Sequence, residues 1–433
     1  MSTQTQHTQE ADFVRWQGFL EDKSLPEGDD ASLDGNACYL QARTVTLPES
    51  HLPFTDKYFE RTAEILQREN INPWVRAQVF IRQGPGELRG IEEARAIINR
   101  YTPLREHGGK ISALPEGARY EAGESVMLIE GPIQDIVELE TMYLGVISAE
   151  TTKANDATAA VDLAKVSERA HQIVEASEGR PLIYMGARHW RFDQDRAISA
   201  AAFDGGATDC TTDIGASTVG KTGMGTIPHA LQNAYAYIYG KERAVVESVL
   251  AFDRVIDKTV PRIALVDYNN HEIDDALASA HALGHKLFGV RVDTCGENIP
   301  QGGLTGPHEG SHGIWQGVKL PALDHPDAKY WYGRGVTITA IYALRCALNQ
   351  AGFEDLKIVL SSGFGKLEKV KAFARAEKAL NLKLFDILGV GGLFEARYAT
   401  MDIVAVGESP DNMRALSKVG REYRANLRLG EIV

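Results

Sequence analysis

The chain has 433 residues, 44% of them apolar and 24% charged, which is the make-up of a soluble globular protein with core enough for two or three domains. A net charge of −13 argues against a sequence-independent grip on nucleic acid, but it leaves room for a local cationic pocket around a small anion. The four cysteines, Cys38, Cys210, Cys295 and Cys346, form no CxxC pair, which excludes a disulfide framework and zinc-ligand spacing. No apolar run is long enough to span a bilayer and the N-terminus is polar, so a cytoplasmic enzyme is expected.

Taken in order, residues 1–45 read as a polar, turn-rich N-terminal extension. LPFTDKY (52–58) enters a helix with Thr55 as its expected N-cap, and Phe59, Ala63, Ile65 and Leu66 continue the apolar stripe. Residues 77–82 (AQVFIR) read as a strand. Residues 108–129 read as a small β-rich module, and residues 136–149 as a strong helix running on to about 170. Together, residues 46–155 make an N-terminal α+β domain.

From residue 180 the pattern changes to strand, loop, helix. Strands are expected at 182–185, 263–266, 287–292, 357–360, 385–388 and 403–406, with an aromatic-striped helix at 231–239. The stretch 262–294 is one βαβ unit, which makes its two strands parallel neighbours. Repetition over about 220 residues predicts an α/β fold, an irregular β/α barrel over residues 156–410. Residues 296–335 read as a surface insertion near the site, with His308, His312, His325 and Trp315 among many glycines. Residues 411–433 read as a charged, helical tail.

Ligands bind at the carboxyl ends of such strands. Asp267 and Asp293 stand at two of them, and Arg291 shares a strand face with Asp293. Arginine grips phosphate or pyrophosphate through two bonds, while an aspartate accepts ribose hydroxyls or holds Mg²⁺ through water. A structural ion pair is the competing reading of the two. SSGFG (361–365) and GVGG (389–392) each place bare backbone N–H groups after a strand, with a helix N-terminus expected beyond, the usual geometry of a phosphate site. His229 in GTIPH could be oriented by Asp267. Read alone, a histidine is more often structural than catalytic. Arg188, in GARHW, could hold a small carboxylate or sit in solvent.

In this order the motifs resemble the nicotinate phosphoribosyltransferase family, the type II phosphoribosyltransferases that include nicotinamide-using enzymes. FTDKY is similar to the family's TDxY, which implies Tyr58 as the residue stacking on the pyridine ring. VELETMYLGVIS resembles a family helix. GAR implies Arg188 beside the ring, and GTIPHA implies His229 as the histidine phosphorylated in ATP-coupled members. VDYNN implies Asp267 as its acidic partner. GVRVDTCGEN implies Arg291 and Asp293 as the grip on phosphoribosyl pyrophosphate, and SSGF and GVGG imply Ser362, Gly363, Gly391 and Gly392 as the 5′-phosphate turns.

The resemblance implies synthesis of nicotinate mononucleotide and pyrophosphate with Mg²⁺ on the phosphoribosyl substrate, coupled to ATP in some members, in a homodimer or higher oligomer. Two departures stand out. The family's second acid after Asp293 is missing, although Glu297 lies close. An ungapped alignment puts Thr211 where nicotinamide-using relatives carry an aspartate, which favours nicotinate, with Asp209 and Asp213 flanking that position. The competing expectations are a nicotinamide or other pyridine transferase, and a barrel that binds a phosphoribosyl metabolite without turnover.

Overall fold

A computed structural model describes residues 46–432. The extension expected at 1–45 lies outside the described residues. Five strands come first: β1 (Trp74–Ile81), β2 (Gly86–Glu87), β3 (Lys110–Ala113), β4 (Arg119–Tyr120) and β5 (Ser125–Pro132). Six more follow: β6 (Leu182–Tyr184), β8 (Arg262–Leu265), β9 (Leu287–Val292), β10 (Lys357–Leu360) and β11 (Ile387–Val390) near the expected places, and the short β7 (Asp209–Cys210), which was not expected. The last are β12 (Ala399–Gly407), β13 (Met413–Ala415) and β14 (Gly430–Glu431).

The strands form two main layers. One sheet is antiparallel, in the order β13-β12-β1-β5-β3-β14. The other is parallel, in the order β7-β6-β11-β10-β9-β8, a curled half-barrel whose edges β7 and β8 do not pair. The βαβ unit is present: β8 and β9 are parallel neighbours, joined by the helix Glu272–Leu283. In register, Val359 of β10 faces Arg291 of β9, and Val390 of β11 faces Tyr184 of β6. The carboxyl ends of these strands therefore share one rim. Their short apolar runs are buried on both faces, as a parallel sheet covered by helices requires.

Four local expectations need correction. The helix expected to run on to 170 is two helices, Glu140–Asn155 and Leu163–Ala176, broken where Asp162 caps the second through Lys165 N–H. Thr55 does not cap the first helix, which begins at Lys57. Its hydroxyl instead donates to the His51 carbonyl at 3.2 Å. The strand at 403–406 forms within β12 but pairs antiparallel with β1, so the chain returns to the N-terminal sheet instead of extending the half-barrel. The tail is not helical: it holds only the short strands β13 and β14 and a 3₁₀ turn, with its polar groups tied to the antiparallel sheet, as where Ser125 donates to the Arg424 carbonyl.

The insertion 296–335 is less peripheral than its glycines suggest. Trp315 is buried against Tyr342 with ring centroids 4.8 Å apart, the Gln301 backbone N–H donates to the Glu272 carboxylate, and Asp327 pairs with Arg375. It is anchored on the helices Glu272–Leu283, Ile338–Gln350 and Leu367–Leu380.

Candidate active site

The rim opens into a cleft of about 1550 Å³ between the ends of the parallel strands and β12. Tyr58, Arg188, His229, Arg291, Asp293, Ser362, Gly363, Gly391 and Gly392 all line it. Residues up to 334 positions apart in sequence thus meet in one place.

At the strand ends, the two glycine turns touch. A Cβ on Gly365 would lie 2.1 Å from the Gly392 carbonyl oxygen, so only glycine lets them approach. Ser362 and Gly363 adopt positive φ (67° and 85°), which bends the chain before the helix Leu367–Leu380. The second turn departs from expectation: no helix follows Gly392, and the chain runs into β12. Its contribution to an anion site is backbone alone, while the first adds the positive end of a helix. Lys369, on that helix, donates to the Ser362 carbonyl at 3.1 Å, and burial followed by the neighbouring Lys366 brings its ammonium down to about 7. Arg291 is 9% exposed. Its Nη2 only approaches the Ile227 carbonyl at 3.5 Å and its Nε has no partner among the described residues. A buried guanidinium with donors to spare is suited to an incoming anion.

His229 begins the helix His229–Tyr239, and its Nε2 lies 2.9 Å from Asp267 Oδ1. Asp267 is buried and also contacts the Lys418 ammonium. Burial alone would raise this carboxyl, but Lys418 first and then His229 hold it well below the usual carboxylate range. An ionised Asp267 only accepts, so it fixes the proton on His229 Nε2 and leaves Nδ1 with its lone pair. Burial and the Lys418 charge keep the imidazole below its ordinary value. The His229 imidazole is therefore a neutral, oriented nucleophile or base.

The ring end is built differently. The Arg188 guanidinium stands 5.9 Å from the Tyr58 ring centroid and 5.7 Å from that of Phe59. It is half-buried and its charge is paired: it contacts the buried Glu140 carboxylate and lies 3.7 Å from Asp56. Thr211 does not line the cleft. It is buried, its carbonyl accepts from Lys57 N–H at 2.8 Å, and its hydroxyl has no partner among the described residues. The flanking acids are engaged elsewhere, Asp209 by Lys221 and Asp213 by Lys57. His189, neutral because burial and Arg188 push it down to about 4, supports the second glycine turn through the Gly391 carbonyl.

Arg82, Asp402, Lys418 and Arg421, which the sequence reading did not single out, also line the cleft. Arg82 and Arg421 each lie 3.3 Å from Glu297, and Arg421 lies 3.7 Å from Asp402. Glu297 therefore does not stand in as a second acid beside Asp293. Burial raises its carboxyl, but Arg421 and Arg82 outweigh that and hold it low. These residues sit on β1, β12 and the tail, and only antiparallel pairing carries them to the rim. Arg82 closing a predicted strand was the one sequence signal.

Comparisons with known proteins bear on the fold. The sequence profile for "Quinolinate phosphoribosyl transferase, N-terminal domain" matches residues 56–150. Nicotinate phosphoribosyltransferase pncB1 of Mycobacterium tuberculosis is 26% identical over 196 residues, which is 45% of this chain and 40% of that relative, so the matched part spans less than half of either protein. Two solved structures share the fold. Nicotinate phosphoribosyltransferase of Porphyromonas gingivalis has a TM-score of 0.57 and 13% identity, covering 87% of this chain and 96% of that one. Nicotinate phosphoribosyltransferase of Vibrio cholerae has a TM-score of 0.55 and 12% identity, covering 85% and 87%. In its matched N-terminal domain, antiparallel sheet and parallel half-barrel, this chain is similar to the type II phosphoribosyltransferases.

Proposed function

We propose that the protein is a nicotinate phosphoribosyltransferase, joining nicotinate N1 to C1 of phosphoribosyl pyrophosphate with release of pyrophosphate. The observation that carries this reading is the convergence in one cleft of two phosphate turns, the under-used Arg291 and an aromatic, guanidinium-bearing ring end. Ser362, Gly363, Gly391 and Gly392 anchor the 5′-phosphate. Arg291 neutralises pyrophosphate as it leaves. Asp293 holds ribose hydroxyls and offsets positive charge at C1. Tyr58 faces the pyridine, and Arg188 meets its carboxylate. Catalysis here is positioning and electrostatics, since charge develops on the sugar and on the leaving group.

Magnesium fits as an ion carried by the pyrophosphate. Glu297 and Asp402 are engaged by arginines, which leaves Asp293 as the free acid at that end, and no group of three or more protein ligands occurs among the described residues. When bound, the ion would shield the charge of the leaving group. A site with one guanidinium facing two acids suits a monocarboxylate better than a pyridine dicarboxylate, so the quinolinate activity in the matching profile's name is the weaker reading.

His229 supports ATP coupling: a phosphorylated Nδ1 would link hydrolysis to closure of the site. The test is a product assay with phosphoribosyl pyrophosphate, Mg²⁺ and nicotinate, nicotinamide or quinolinate, with and without ATP. Nicotinate mononucleotide as the main product is expected, and His229→Ala should lose ATP stimulation while keeping slow basal synthesis. Binding of phosphoribosyl pyrophosphate without turnover on any pyridine would instead favour a metabolite-binding protein. Sedimentation of the same preparation checks the homodimer that the resemblance implies. Among the described residues no helix is long and apolar enough to cross a membrane.

A further inference from the structure

The ring end of the cleft contains a contradiction. Arg188 is the cation that would receive the substrate carboxylate, yet a carboxylate of the protein already occupies it. Glu140, the first residue of the helix Glu140–Asn155, is 3% exposed and in direct contact with Arg188 Nη1. Asp56 stands 3.7 Å from Arg188 on the other side, held by the Thr141 hydroxyl at 2.9 Å. Arg188 Nε is buried without a hydrogen-bond partner, so the guanidinium keeps a donor in reserve even while paired. Two acids against one arginine make this end net negative when both are ionised. A second anion brought to Arg188 must then displace or neutralise one of them.

The groups facing Glu140 are Arg188 from the 3₁₀ turn after β6, Asp56 and Tyr58 at the start of the helix Lys57–Arg68, and Asp402 from β12. Tyr143, on its own helix, lies within the same cluster. We propose that Glu140 is the specificity-determining residue of the base pocket: protonated, it releases Arg188 to a pyridine carboxylate, and ionised, it holds Arg188 and favours a neutral pyridine amide. This rests on the reading of the cleft as a pyridine phosphoribosyltransferase site. Burial raises the Glu140 carboxyl to about 7, against the opposing pull of Arg188, so the exchange falls within the working range of pH. The protein carboxylate thereby mimics the substrate before the base binds, and binding nicotinate takes up one proton from solvent.

The test uses the full chain with saturating phosphoribosyl pyrophosphate and Mg²⁺. KM for nicotinate and for nicotinamide is measured between pH 5.5 and 8.5. KM for nicotinate should rise by about tenfold per unit above pH ~7, while that for nicotinamide stays flat. Glu140→Gln should flatten the nicotinate profile and leave kcat to vary with pH as in the wild type. A pH-independent KM for nicotinate in the wild type, or an unchanged slope in Glu140→Gln, overturns the proposal. Calorimetry on the wild type alone covers a variant that fails to fold. Titration with nicotinate at pH 8, in two buffers of different ionisation heat, should show about one proton taken up per site, and none with nicotinamide. Zero uptake with nicotinate overturns the proposal. Absence of product with both bases refutes the functional reading, and the calorimetric proton count still decides the role of Glu140.

Discussion

Removing the Lys418 ammonium is the sharpest perturbation of the site. Lys418 is 4% exposed and Asp267 1%, so the pair lies wholly inside the protein. Lys418 also donates to the Asp293 carbonyl at 3.3 Å, tying β9 to the tail. In Lys418→Met the stem packs as before and the charge is gone. Asp267 then keeps only the His229 Nε2 bond for an ionised group taken out of water. Breaking a buried pair from one side costs about 3–5 kcal/mol. That is a large fraction of the roughly 5–15 kcal/mol that stabilises a typical domain. Urea unfolding of wild type, Lys418→Met, Asp267→Asn and the double variant measures it. The double variant strands no charge, so its loss should be smaller than the sum of the singles by about 1–3 kcal/mol. In Lys418→Met the His229 imidazole, no longer repelled by the ammonium, should also titrate at higher pH by NMR. A single-variant loss under about 1 kcal/mol, or additivity in the cycle, would refute the reasoning.

Two further predictions follow from geometry. Gly365→Ala forces a methyl onto the Gly392 carbonyl and must part the two turns, so KM for phosphoribosyl pyrophosphate should rise at least about tenfold, the cost of losing one charge-assisted contact. An unchanged KM would mean the turns do not act as one anion site. Asp195 is buried, accepts from the Thr212 hydroxyl at 2.5 Å, and is raised by burial to about 7. Its folded value lies above the unfolded one, so its contribution to stability is full below pH ~4 and is lost as pH rises through about 7. Asp195→Asn should therefore narrow the gap between unfolding midpoints at pH 5 and pH 8, and an equal or wider gap would count against it.

The half-barrel was legible in sequence because a parallel strand buried on both faces is a short apolar run, and the residue after it sits at the ligand-facing rim. That single rule located Asp267, Arg291, Asp293 and both glycine turns. Motif order located Tyr58, Arg188 and His229 in the same cleft. The rule failed where position depends on pairing across the chain. Arg82 ends a strand whose neighbour, β12, comes more than 300 residues later. Lys418 and Arg421 read as part of a charged tail, since solvated charge and buried charge look alike without the partners Asp267, Asp402 and Glu297. Glu140 was hidden differently: it opens an apolar helix buried nearly all round, and nothing in VELETMY says that its carboxylate meets Arg188. Thr211 was placed by an ungapped alignment, and the backbone turns it beneath the Lys57 amide instead of into the cleft.

The return of β12 to the first sheet has a bearing on biosynthesis. Synthesis proceeds from the amino end, so the glycine bends and Arg291 leave the ribosome before the segment bearing Lys418 and Arg421. Until β12 and that segment dock, Asp267 waits without its ammonium and β1 lacks a neighbour on one edge. A nascent chain stalled before residue 399 would thus hold the glycine bends with one wall missing and expose a strand edge open to unwanted pairing, a stage at which chaperone capture would matter most.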